Sequence, residues 1–257
     1  QQYSHCHSPY LDLFCFTSFV ASLRTVCFPS SKMRLLIILL SVGLGFFFRK
    51  NPILFGQRTG ASHDAFTIIE RNEHLDDELF GLAGKVGTEF AAYRNHCLRV
   101  LTFTKYFLPD FVEKEIPEAM ELASVALAYH DVALWTDKEL SYLEPSVAQL
   151  EKALGNDSYS ETQMAIMKDI ILQHHKITPF ESNRGKAADA LVNAVRKADW
   201  ADASFGIVRF GMPAALLEAA YDKLDEAGFH KILLQLPPRL SPGNFMGQFD
   251  VLKIFKW

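Results

Sequence analysis

Cysteine is scarce in the part of the chain that could form a domain. Among 257 residues there are four cysteines, and Cys6, Cys15 and Cys27 all lie near the start, which leaves Cys97 alone in the remainder. No pair has the Cys-x-x-Cys spacing of a zinc ribbon or a redox motif. The sequence therefore excludes a disulfide framework and a thiolate zinc site as the basis of the fold.

A basic excess is also absent. The chain has 26 Lys and Arg residues against 30 Asp and Glu residues, which gives a formal net charge of -4. Proteins that bind nucleic acid polymers carry clustered positive charge, because they neutralise backbone phosphates. We therefore predict no nucleic acid polymer as a partner, whereas a small anionic substrate needs only a few local cations.

Alternating apolar and polar residues, the pattern of half-buried strands, are rare. Between residues 66 and 228 apolar residues recur instead at steps of three and four, which is typical of helices. The sequence predicts an all-α fold, a compact multi-helix bundle in which residues 66–228 form the domain. The predicted helices cover residues 76–84, 86–107, 117–131, 145–154, 160–175, 186–204 and 213–227.

The two ends of the chain differ from this domain. We assign residues 1–32 to no element of the fold and leave open whether they are native, and residues 51–65 are a predicted linker. Residues 33–50 resemble a signal or anchor, because the apolar run 35–48 is flanked by basic residues but is short for a full span. Membrane anchoring through residues 35–48, secretion and organelle targeting all stay open. Residues 229–257 are predicted to be a Pro-rich tail, truncated or loosely docked.

Several predicted helices continue an apolar stripe into an ionisable side chain. His174 follows Ile170 by four residues, and Asp199 follows Val195 by four, so both point toward the predicted core. Buried charges must be paired or bound to a metal. Each position alone has an ordinary structural explanation, but together they supply nitrogen and oxygen donors for a divalent cation. The set is His96, His130, Asp131, His174 and Asp199.

The order of these residues resembles the HD-domain superfamily of metal-dependent phosphohydrolases. Its signature is a His, an adjacent His-Asp pair and a distant Asp on a helical scaffold, and here these are His96, His130-Asp131 and Asp199. The resemblance covers roughly residues 70–215. It implies an HD-type bundle with one divalent metal ion (Mn, Co, Ni, Zn, Fe or Mg) held between helices by His96, His130, Asp131 and Asp199.

The resemblance also implies roles for neighbouring residues in the hydrolysis of a small phosphate ester, with a nucleotide as one option. Asp131 and His174 are the expected catalytic residues, Asp131 orienting the attacking water and His174 steadying phosphoryl oxygens. Expected substrate contacts come from Lys176, Arg99, Arg196 and His175.

Two departures from the family narrow this expectation. Members that cleave deoxynucleoside monophosphates tend to carry a glutamate three residues after the His-Asp pair, where this chain has Leu134. Two-metal members need two well-separated histidines between the pair and the last Asp, whereas this chain has only the contiguous His174-His175. One metal is therefore favoured over two. The alternatives are a hydro-lyase similar to cyanamide hydratase and a non-catalytic helical module with a structural metal.

Overall fold

The structure is a computed structural model that describes residues 66–155 and 158–256, and within those ranges all regular secondary structure is helical. The prediction of an all-α bundle is confirmed. The predicted leader, anchor-like segment and linker lie outside the described residues. Within the described ranges no helix is both long enough and apolar enough to cross a membrane.

The helices follow one another with short connections. Two short 3-10 segments, Gly87–Glu89 and Gly247–Ile254, accompany them. The α-helices in chain order are α1 (Glu73–Val86), α2 (Phe90–Phe107), α3 (Asp110–Glu115), α4 (Ala119–Tyr129), α5 (Ala133–Thr136), α6 (Leu143–Leu154), α7 (Glu161–Gln173), α8 (Lys186–Ala203), α9 (Ala214–Lys223) and α10 (Phe229–Leu240).

Local sequence signals explain several helix ends. The Ser160 side chain accepts a hydrogen bond from the Gln163 backbone N–H, and the Gln163 side chain accepts one from the Ser160 backbone N–H, so a capping box begins α7. The side chain of Asn72 caps α1 in the same way by accepting from the Leu75 N–H. Gly155 ends α6 with φ 63, a conformation that glycine adopts without strain.

The core lies between α2, α4, α7 and α8. Helix α2 packs against α8 and α4, and α7 packs against both α4 and α8. Leu98, Leu101, Leu127 and Leu191 are fully buried there. Burial of one such leucine contributes roughly 1.5–3 kcal/mol, so these four helices hold one another in fixed positions. The functional residues predicted from the sequence lie on or at the ends of these helices.

The predicted tail, residues 229–257, contains α10. Its residues Phe229, Ile232 and Leu236 are buried and belong to the same apolar core as the preceding helices. Pro237 and Pro238 fall in the last turn, so the helix ends soon after them, at Leu240. The packed core therefore extends beyond residue 228.

Candidate metal centre

The structure brings His96, His130, Asp131 and Asp199 together in the interior. His96 lies on α2, Asp199 on α8, and the His130-Asp131 pair directly follows α4. His96 Nε2 is 3.2 Å from His130 Nε2 and 3.4 Å from Asp199 Oδ1. His130 Nε2 lies 3.3 Å from Asp131 Oδ2. All four side chains are buried.

The apolar faces of the helices produce this arrangement. His96 follows Tyr93 by three residues and Asp199 follows Val195 by four, so each shares a helix face with a side chain that is fully buried. His130 is the C-cap of α4 and continues a helix whose residues from Leu122 onward are all buried. Each ligand candidate thus extends a face that the hydrophobic effect already directs inward.

Three imidazoles have their Nδ1 atoms engaged by protein oxygen atoms. Nδ1 of His130 is 2.7 Å from the Leu127 carbonyl oxygen, and Nδ1 of His174 is 2.7 Å from the Ile171 carbonyl oxygen. Nδ1 of His96 is 2.7 Å from a carboxylate oxygen of Asp202. Because carbonyl and carboxylate oxygens only accept, each Nδ1 carries a proton, and in the neutral ring Nε2 is left as an acceptor or metal ligand.

The two adjacent histidines after α7 join the same cluster. His174 Nε2 is 3.4 Å from Asp131 Oδ1, and His175 Nδ1 is 3.6 Å from Asp199 Oδ2. The donor atoms form three overlapping groups, within each of which they lie no more than 4.8 Å apart. These groups are His96, His130 and Asp199; His130, Asp131 and His174; and His174, His175 and Asp199.

Some polar atoms of this cluster lack a hydrogen-bond partner among the residues that the structure describes. Asp131 Oδ1, Asp199 Oδ2 and His174 Nε2 are buried and unpartnered. Leaving such atoms without a partner is costly. A cation bound beside one of these atoms would give it a partner, so the residues present fit a divalent metal ion with mixed nitrogen and oxygen ligands.

The electrostatics of the cluster favour bound positive charge. Burial alone would lower the pKa of His96 and His130, but the neighbouring carboxylates outweigh burial and both pKa values are raised. Burial alone would raise the pKa of Asp131 and Asp199, but the imidazoles, His130 first, hold both values below the ordinary range. Without a metal the cluster retains protons, and a divalent cation would compete with those protons for the same atoms.

One side of the cluster was not predicted from the sequence. The Tyr142 hydroxyl oxygen lies 2.5 Å from His175 Nε2. The ring centroids of Phe255 and His175 are 5.5 Å apart. Burial, followed by the nearby His174 imidazole, lowers the pKa of His175 to about 3. The His175 side chain is 13% exposed, against 5% or less for the other cluster residues. The sequence does not predict the contact between Tyr142 and His175, because Tyr142 precedes α6 and the two residues are 33 positions apart.

Both arginines expected to contact substrate have protein partners instead. Arg99 is fully buried, and its three guanidinium nitrogens donate to Asp202 and to the carbonyls of Leu224 and Asp225. Arg196 donates to the carbonyls of Lys176 and Ile177, and burial lowers its pKa to about 10. The half-buried Lys176 follows His175 directly. The structure therefore brings His174 and His175 to the cluster, whereas both arginines are engaged by protein atoms.

No family model matches the chain, and no curated protein or solved structure matches it either. What the described residues establish is a buried His/Asp cluster that could hold a metal ion.

Proposed function

We propose that the chain is a metal-dependent hydrolase of the HD superfamily that cleaves a small phosphate ester at a single divalent ion. The observation that carries the proposal is the convergence of three imidazole Nε2 atoms, whose Nδ1 atoms are engaged elsewhere, on the carboxylates of Asp131 and Asp199, each of which has one buried oxygen without a partner. This is the arrangement that metal-binding histidines need. The proposed ligands are His96, His130, Asp131 and Asp199.

The proposed chemistry divides between the ion and the protein. A divalent ion bound at such a site would lower the pKa of a bound water and polarise a substrate oxygen. Asp131, through its unpartnered Oδ1, orients the attacking water and accepts its proton. His174 Nε2, at 3.4 Å from that oxygen, takes the proton and then donates it to the oxygen of the leaving group. His175 lies on the more exposed side, where substrate would enter, and the half-buried Lys176 follows it in the sequence.

The position of Leu134 bears on the substrate class. Leu134 is buried, so the position at which nucleotidase members of the family tend to carry a glutamate is part of the apolar core. We therefore propose a small phosphomonoester other than a deoxynucleoside monophosphate as the substrate class.

The partners of Arg99 and Arg196 favour a second candidate function. Phosphate recognition usually relies on charge-assisted hydrogen bonds from available cations, and both guanidinium groups donate to protein atoms instead. A site without them suits a small neutral substrate, so hydration of a nitrile-like compound, as in proteins similar to cyanamide hydratase, is the alternative.

Metal analysis and an activity screen on the full chain test these proposals. The protein would be loaded with Mn, Co, Ni, Zn, Fe or Mg and assayed with phosphomonoesters and with small nitriles. Phosphate release supports the hydrolase, and turnover of nitriles alone supports the alternative. A bound metal without turnover of any substrate would point to a structural ion.

Two ligand variants with a matched control complete the test. Asp131→Asn and Asp199→Ala should lose metal and turnover while the helical circular dichroism is retained. His74→Ala removes an exposed histidine outside the cluster and should keep both. Full metal stoichiometry in both aspartate variants would rule out the ligand set.

A further inference from the structure

Asp202 is a fully buried carboxylate one helical turn after Asp199 on α8. Its Oδ2 accepts a hydrogen bond from His96 Nδ1 at 2.7 Å. Arg99 approaches the same carboxylate with two donors, Nε at 2.7 Å from Oδ1 and Nη2 at 2.9 Å from Oδ2. Asp202 thus links a bidentate ion pair to one of the proposed metal ligands.

Other contacts fix this arrangement in place. The remaining Arg99 donor, Nη1, is 3.0 Å from the Leu224 carbonyl oxygen. His230 Nε2 donates to the Asp202 backbone carbonyl at 2.8 Å. The ring of Phe229 stacks on His96 at 4.0 Å between centroids, with an interplanar angle of 13°. The imidazole of His96 is therefore constrained at its face and at its Nδ1 edge.

Two carboxylates compete for the proton of a neutral His96. Asp202 is 2.7 Å from Nδ1, whereas Asp199 Oδ1 is 3.4 Å from Nε2. A hydrogen bond at 2.7 Å to a charged acceptor is strong, and one at 3.4 Å lies beyond the usual range. If the proton moved to Nε2, it would occupy the lone pair that a metal ion needs.

We propose that Asp202, held by Arg99, is a positioning residue for the metal centre that keeps His96 in its Nδ1–H tautomer and aims Nε2 at the cluster. The proposal rests on the proposed function in taking His96 as a metal ligand. Arg99 compensates a carboxylate that would otherwise be an isolated buried charge. In this role the guanidinium acts through Asp202 and His96 and does not contact substrate.

Two double variants distinguish an effect of Asp202 on the orientation of His96 from the loss of stability that follows when the Arg99–Asp202 ion pair is removed. Arg99→Met with Asp202→Leu removes both charges together, so no buried charge is left unpaired, but His96 Nδ1 loses its acceptor. Arg99→Met with Asp202→Asn also removes the ion pair, yet its amide oxygen restores a neutral acceptor to Nδ1. Asp76→Asn is the matched control, because Asp76 is also buried and pairs with an arginine, Arg94, outside the cluster.

Two measurements on the full chain give the readout. Nitrogen-15 NMR of the imidazole rings at a pH above the raised pKa of His96, with His96 assigned by comparison with His96→Gln, reports the tautomer of the neutral ring without metal. Chelator competition with Zn reports affinity. The Leu-containing double variant should populate the Nε2–H tautomer and bind Zn about 10- to 100-fold more weakly. The Asn-containing one should recover the Nδ1–H tautomer and most of the affinity, and Asp76→Asn should match the wild type.

Equal Zn affinity in the two double variants, with an unchanged His96 tautomer, would overturn the positioning role. The NMR arm does not depend on catalysis. If the wild-type chain bound no metal, the proposed function would fail, while the tautomer comparison would still decide whether Asp202 orients His96.

Discussion

His96 Nε2 and His130 Nε2 lie 3.2 Å apart, although His96 lies on α2 and His130 caps α4. Two neutral Nε2 acceptors at this distance repel each other unless a proton or a cation lies between them. The pKa values of both imidazoles are also raised, because the surrounding carboxylates stabilise a positive charge at this position. A metal ion and protons therefore compete for one space.

That competition predicts how metal affinity depends on pH. Because His96 and His130 have raised pKa values, each must release a proton before its Nε2 binds metal. Zn affinity should rise with pH above about 6.5, up to about tenfold per pH unit for each proton released. Chelator competition between pH 6.5 and 8.5 measures this slope. An affinity that stays flat across that range would contradict the proton competition.

His175 predicts a pH effect on the stability of the metal-free protein. Its pKa falls to about 3 in the folded chain, mainly through burial, against about 6.5 when unfolded. The unfolded state therefore binds more protons between these values, so stability is lost as the pH falls below about 6.5. His175→Gln should remove a slope of up to about 1.4 kcal/mol per pH unit in that window. Urea unfolding at pH 6.5 and pH 5 measures it.

The matched control for this experiment is His74→Gln, which changes an exposed histidine. It should leave the pH slope of the free energy of unfolding as in the wild type. If His175→Gln and His74→Gln gave the same slope, the buried neutral state of His175 would be refuted.

Phe229 gives a prediction about the extent of the domain. The side chain is 1% exposed and stacks on His96. Phe229→Ala should lower the free energy of unfolding by about 3–5 kcal/mol, because it leaves a cavity in the core. Phe80→Ala is the control, since Phe80 is 60% exposed and should change stability by no more than about 0.5 kcal/mol. Equal effects in urea unfolding would argue against α10 as part of the core.

The sequence was sufficient where the signal was local. Ser160 and the residues after it predicted the start of α7, and the three- and four-residue spacing placed His174 and Asp199 on inward faces. Contacts between residues that are far apart in the sequence could not be predicted from such local patterns. Arg99 and Asp202 are 103 residues apart, so neither position alone reveals the ion pair. Helix α10 was missed because Pro237 and Pro238 are typical of loops, although here they lie in a last turn.

Tyr142 provides a test of whether His175 acts as a ligand or in catalysis. Its hydroxyl lies 2.5 Å from His175 Nε2, and Nδ1 faces the Asp199 carboxylate at 3.6 Å. Because a carboxylate only accepts, we assign the proton of the neutral ring to Nδ1 and the donor role to the Tyr142 hydroxyl. A protonated Nδ1 and an occupied Nε2 are unsuited to binding metal. Tyr142→Phe should therefore keep full metal stoichiometry. It should lower kcat roughly fivefold, because it removes a hydrogen bond of about 1 kcal/mol that orients His175.

Tyr159→Phe is the matched control for this change, since Tyr159 donates to Glu121 away from the cluster. It should leave both metal content and turnover at the wild-type level. Metal content and kcat measured on the three proteins decide the point. If Tyr142→Phe raised or lowered the number of ions bound per chain, His175 would belong to the ligand set, and the single-ion proposal would need a further site built on His174, His175 and Asp199.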